Sequence, residues 1–259
     1  MGLAALASAL LLAVTPVSFV TAHGRNGAYA EPGGTADALL TSWAVLGLRA
    51  AGAPAPGSLD YLHAQEGSLT ATTDVALVAL AEEALGDRNP ALLAQLRPTP
   101  SGAIGPTLNS TMWAVLALGR SPAATTRYLL AHQAPSGGFS WAAGGKPDSN
   151  DTAAALEAFR VAGVHGAPVT RAASFLLTFE NRDGGFELSR GRGSDAQSTA
   201  WAIQGLLAAG RTPPHRAFTY LARLRQPDGS YRYSARYAST PVWVTSQVLA
   251  ALAKRPFPL

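Results

Sequence analysis

Two kinds of apolar segment alternate along the chain. The first has no polar face: Ala200-Trp201-Ala202-Ile203-Gln204-Gly205-Leu206-Leu207 is apolar nearly all round, and 43–48, 75–81 and 113–118 read the same way. A helix with that pattern is buried on every side. The second kind is one-sided. Ala172, Phe175, Leu176 and Phe179 fall at i, i+3, i+4 and i+7, with Arg171 and Ser174 on the other face. Ala217, Tyr220, Leu221 and Leu224 repeat this spacing, with Arg216 and Arg223 outside. Together the two patterns predict an inner ring of wholly buried helices and an outer ring of half-solvated ones.

Polar punctuation sets the period. A turn glycine recurs at Gly27, Gly67, Gly102, Gly137, Gly184 and Gly229, spaced 40, 35, 35, 47 and 45 residues apart. A threonine opens each apolar helix at Thr41, Thr73, Thr111, Thr152, Thr199 and Thr245, spaced 32, 38, 41, 47 and 46. Six turns alternating with six apolar helices predict an all-α fold of six helical hairpin repeats. Gly/Pro breaks at 52–54, 86–90, 163–168 and 210–214 fit the connections inside the hairpins. Asp37, Asp148 and Asp195 each lie four residues before a helix-opening threonine, where a carboxylate can cap free backbone N–H groups.

Composition narrows the class. Hydrophobic residues make up 47% and charged residues 14%, the balance of a core-rich globular chain. Net charge is +4, carried by eighteen arginines and two lysines scattered singly. A nucleic-acid footprint needs a clustered basic stripe, so no nucleic-acid partner is expected. The absence of cysteine excludes disulfides, thiolate metal sites and cysteine nucleophiles.

Residues 1–14 form an apolar segment of signal-peptide length, followed by small-residue cleavage sites at Val20-Thr21-Ala22 and Ala28-Tyr29-Ala30. They predict export, and the run is too short for a stable membrane span. Two observations oppose that reading. No basic residue precedes the run, and the period continues through 17–22, which reads as an outer helix. Residues 15–259 are expected to form one toroid domain, and cleavage after Ala22 would leave it open by one helix.

The turns Gln226-Pro227-Asp228-Gly229-Ser230-Tyr231, Gln133-Ala134-Pro135-Ser136-Gly137-Gly138-Phe139 and Asp183-Gly184-Gly185-Phe186 resemble a known repeat. It is the Q-x-x-D/S-G-x-aromatic repeat of squalene and oxidosqualene cyclases, present in weaker form in protein prenyltransferase β subunits. The resemblance implies an α/α toroid, an α6/α6 barrel with two concentric rings of helices. The motif is architectural and says little about chemistry.

Asp148-Ser149-Asn150-Asp151-Thr152-Ala153 resembles the D-x-D-D-T-A acid motif of squalene-hopene-type cyclases. In that family the middle aspartic acid protonates an alkene or epoxide, which requires a neutral carboxylic acid. This chain has Asn150 there, and an amide cannot deliver the proton. Asp148 and Asp151 are the candidate catalytic acids, against the plainer reading that the segment caps a helix. The chain is also shorter than two-domain cyclases. The zinc site of prenyltransferases, built from Asp, Cys and His, is not expected with no cysteine and five dispersed histidines at positions 23, 63, 132, 165 and 215. No cofactor and no metal are expected.

Trp43, Trp113, Trp141, Trp201 and Trp243, with Asn150, Asp195 and Gln197, are the candidate ligand-binding residues. Indoles lining a central cavity would suit an isoprenoid-like apolar molecule; the same indoles packed ring to ring would fill it. Three functions follow. A non-catalytic toroid holding an apolar ligand is favoured, a reduced terpenoid cyclase acting through an Asp acid is the alternative, and a purely structural module would have a filled centre. The long loops 140–149 and 187–194 are expected to rim the ligand's point of entry.

Overall fold

The turn aromatic and the helix-opening threonine meet in each regular repeat, and that contact fixes where an inner helix begins. In the computed structural model, which describes residues 14–259, the backbone N–H groups of Tyr29, Phe139, Phe186 and Tyr231 donate to the hydroxyls of Thr41, Thr152, Thr199 and Thr245 at 2.9–3.0 Å. Ile104 and Thr111 do the same at 3.0 Å. The threonine period is thus a hydrogen-bond period.

The first repeat runs from outer helix α1 (Pro16–Ala22) through the short ribbon β1 (Gly24–Arg25) and β2 (Ala28–Tyr29) to inner helix α2 (Ala38–Ala50). Outer helices α3 (Ser58–Gln65) and α5 (Pro90–Leu93) flank inner helix α4 (Thr72–Ala84). Inner helix α6 (Leu108–Leu118) follows, then α7 (Ala123–Ala131), α8 (Ser149–Val161) and α9 (Ala167–Leu177). The last pairs are α10 (Ala196–Ala208) with α11 (His215–Leu224) and inner helix α12 (Pro241–Leu252). Each inner helix packs on the next, and α12 returns to pack on α2. The fold is all-α, an α/α toroid of six inner and six outer helices among the described residues.

Closure uses the contacts that join consecutive repeats. The amides of Asn109, Ser149 and Ala196, in the first turns of α6, α8 and α10, donate across to the carbonyls of Trp141, Leu188 and Tyr233, each two residues beyond a turn aromatic. At α12 the matching acceptor is Glu31, two residues beyond Tyr29. Its carboxylate takes the N–H groups of Val242 and Trp243 at 2.9 and 2.8 Å. A charged acceptor at a helix N-terminus also meets the positive end of the helix dipole. In the outer ring, turn glycines with positive φ lie against the start of the next outer helix. At Gly229 (φ +88°) a Cβ would lie 2.5 Å from the carbonyl oxygen of Thr15, the cap of α1. Only glycine fits there.

The second repeat departs from this scheme. Gly67 has neither positive φ nor a close neighbour, and a single 3₁₀ turn (Glu66–Ser68) stands where the Gly turn would be. Residues 1–13, on which the export reading falls, lie outside the described residues. Ala22, the nearer cleavage site, ends α1, which packs on α12 and α2. No helix among the described residues is long and apolar enough to cross a membrane.

Candidate functional site

All six inner helices start at one end of the toroid, so the polar chemistry of the repeat collects around that mouth. Asp37, Asp148 and Asp195 are N-caps there, accepting the N–H groups of Leu40, Asp151 and Ser198 at 2.8, 2.9 and 2.7 Å. The capping expectation therefore holds for these aspartates. Within the segment read as capping a helix, Asn150 is not itself the cap: Asp148 caps α8. Asn150 and Gln197 sit half-buried in the first turns of α8 and α10.

Asp151 is set apart from the caps. It directly precedes the opening threonine Thr152 of α8, a place taken by Leu40, Ser110, Ser198 and Val244 before Thr41, Thr111, Thr199 and Thr245. It is buried, and the Asn109 amide donates to its Oδ1 at 2.7 Å. Burial, then the charge of Asp148 and a hydrogen bond to it, push its carboxyl up to about 8, against the Asn109 bond, which lowers it. Burial also raises Asp148, with hydrogen bonds from Asp151 and Asn150 acting the other way. At neutral pH this pair keeps a proton, on a residue adjacent in sequence to the position the acid-motif resemblance singles out.

The tryptophans correct the expectation of a central cavity. Trp43, Trp113 and Trp201 come from alternate inner helices, two residues beyond the opening threonine, and converge on the axis. Their ring centroids are 5.5, 5.9 and 5.5 Å apart, each pair edge to face. The intervening helices supply Val75, Ala154 and Gln247 at the same level, so large side chains alternate with small ones. The Trp201 indole N–H donates to Gln247 Oε1 at 2.9 Å. Phe257, from the segment after α12, lies fully buried 6.1 and 6.5 Å from Trp43 and Trp201. Indole fills the axis at this level, as edge-to-face packing favours. Trp141 is 56% exposed, and Trp243 is partly buried against the core. Neither joins the three central rings.

Open volume lies at the rim. A half-open cavity of about 620 Å³ is lined by Arg192, Asp195, Tyr220, Tyr233, Arg236 and Tyr237 among others. Its floor is ordered. Asp195 takes the amide and hydroxyl of Ser198 at 2.7 and 2.9 Å, and Tyr220 donates to the Ser194 carbonyl at 2.7 Å. Burial raises both Asp195 and Tyr233 above their ordinary values. Of the expected ligand-binding residues, Asp195 lines this cavity. The loop after Tyr231, which supplies Tyr233, Arg236 and Tyr237, escaped the sequence reading. Its tyrosines were visible as residues beyond a turn, but nothing in their spacing pointed to a cavity.

The mouth, the closed double ring and the buried acid define a class, the helical toroids whose inner helices share one polar end. Solved structures place it more narrowly. The ent-copalyl diphosphate synthase from Streptomyces platensis superposes with a TM-score of 0.62 at 24% identity over 84% of this chain and 50% of that one. The type II terpene cyclase MstE from Scytonema gives 0.67 at 16% identity, over 92% of this chain and 95% of that one. Candida albicans protein geranylgeranyltransferase-I complexed with GGPP gives 0.60 at 12% identity, over 83% of each. The chain has the toroid fold of the terpenoid cyclases and protein prenyltransferases. It spans half the length of the Streptomyces synthase and nearly all of MstE. No family model matches the chain, and neither does any curated protein.

Proposed function

We propose that this protein is a ligand-binding toroid that holds an isoprenoid-like amphiphile at its rim and performs no cyclisation. The observation that carries the reading is the packed axis of Trp43, Trp113, Trp201 and Phe257, set beside the half-open rim cavity. A polyprenyl chain has no room between indoles at van der Waals contact. The rim cavity has the volume of a small-molecule site. Its tyrosine faces suit an apolar chain, and Arg192 and Arg236 suit an anionic or strongly polar head. Proteins of the same fold have been solved with such molecules, MstE with geranylgeranyl dihydroxybenzoate and the Candida transferase with GGPP.

One observation favours a second reading. Asp151 is a buried acid that stays protonated at neutral pH, the state a cyclase donor needs. In that reading Asp151 gives its proton to an alkene at the mouth, and the carbocation so formed closes a ring and loses a proton to water, which reprotonates the Asp148–Asp151 pair.

Calorimetric titration with geranylgeraniol and geranylgeranyl diphosphate, with product analysis by mass spectrometry, separates the two. The binding reading predicts saturable binding without product, weakened at least about tenfold in Tyr233→Ala/Arg236→Ala and unchanged in Asp151→Asn. Product that disappears in Asp151→Asn would establish the second reading. Failure of both ligands to bind would overturn the first.

A further inference from the structure

The irregular second repeat brings together four side chains that the sequence spreads over residues 63–87. His63 lies on α3, Glu66 opens the 3₁₀ turn, Glu82 sits in the last turn of α4, and Asp87 lies in the loop to α5. One donor atom each from His63, Glu82 and Asp87 lies within 4.8 Å of the others. His63 Nε2 is 2.8 Å from Asp87 Oδ2 and 4.0 Å from Glu66 Oε1. Donors sharing one ion at bonds of about 2.0–2.2 Å are separated by roughly 3.3 Å in a tetrahedron, so small side-chain rotations suffice.

Glu82 supplies an independent reason to expect an ion. Its side chain is fully buried, and Oε1 has no hydrogen-bond partner. Such an oxygen needs a proton or a cation. Its neighbours are arranged as if for the second. The Asn89 amide donates to Glu66 Oε1 at 2.9 Å and to Glu82 Oε2 at 3.0 Å, orienting both carboxylates, while its carbonyl caps α5. A metal ligand held by a hydrogen bond from behind is the usual arrangement of a formed site. The site also lies at the C-terminal end of α4, the negative end of its dipole.

We propose that His63, Glu82 and Asp87, with Glu66 as fourth donor, bind a zinc-class divalent cation that staples the second repeat. Imidazole nitrogen together with carboxylate oxygen selects zinc or a similar transition ion over magnesium or calcium, which take all-oxygen shells. The staple stands where the repeat has lost its glycine turn and where its outer helix α5 is only four residues long. It ties α3, α4 and the start of α5 together.

The test uses the full chain without an affinity tag, stripped with chelator and titrated with zinc chloride by calorimetry and thermal unfolding. His63 and Asp87 are each 40% exposed, so His63→Ala and Asp87→Asn leave the metal-free fold intact. The expected result is one equivalent of zinc at micromolar concentration or below and a zinc-dependent rise in Tm. Both are lost in either variant and are not reproduced by magnesium. Glu82→Gln, checked for folding by circular dichroism, is expected to weaken zinc at least tenfold. The proposal is overturned by absent saturable binding, by wild-type zinc affinity in either exposed variant or in Glu82→Gln, or by magnesium binding as tightly as zinc.

Discussion

Replacing Glu157 by glutamine is expected to flatten the pH dependence of stability. Glu157 lies in α8 beneath the indoles and is completely buried; Oε1 accepts the Phe257 N–H at 3.0 Å, and Oε2 has no partner. Burial pushes its carboxyl up to about 8, against the opposing effects of the Phe257 N–H and Arg160. In the unfolded chain the same group releases its proton near 4.5. Between those values the folded protein holds a proton that the unfolded chain has lost, so unfolding releases it and rising pH favours unfolding. The largest slope is about 1.4 kcal/mol per pH unit, and the whole window amounts to about 5 kcal/mol, an upper figure because water entry would shrink it. Glutamine keeps the acceptor for Phe257 and cannot titrate. Urea unfolding of both proteins from pH 5.5 to 9 is the assay. Wild type is expected to weaken as pH rises, and the variant to weaken less by about one proton's slope. Equal slopes would refute the reasoning.

Three further outcomes follow from the same geometry. Trp113→Ala removes one of three mutually packed indoles and is expected to cost about 3–5 kcal/mol in urea unfolding, while Trp141→Ala, exposed to solvent, changes stability by less than about 0.5. Gly229→Ala forces a left-handed residue against the Thr15 carbonyl and is expected to cost at least about 2 kcal/mol; Gly67→Ala, in open space, is expected to be neutral. Asp151→Asn removes a second raised carboxyl, so its unfolding is also expected to be less sensitive to pH between 5.5 and 8 than that of wild type.

Much of the architecture is legible in the residues because it repeats. The Thr41 to Thr245 series and the turn glycines each report one local constraint in five of six repeats, with Thr73 and Gly67 the exceptions, and the apolar inner helices repeat alongside them. The recurring aspartates could be read as caps for the same reason. What could not be read was how single residues meet across the ring. The converging indoles of Trp43, Trp113 and Trp201 come from positions 70, 88 and 158 residues apart. Asp151 accepts a hydrogen bond from Asn109 of another repeat, 42 residues away. His63 meets Glu82 and Asp87 only because the second repeat departs from the pattern. Periodicity reveals the ring, whereas a site depends on exceptions to it.

The claim on which the functional reading rests is that indole fills the axis. Acrylamide quenching of fluorescence in Trp141→Phe/Trp243→Phe tests it most directly, since only Trp43, Trp113 and Trp201 then emit. A packed axis predicts blue-shifted emission that acrylamide scarcely quenches. Red-shifted emission, quenched as readily as free tryptophan, would show the axis open to solvent and contradict the account.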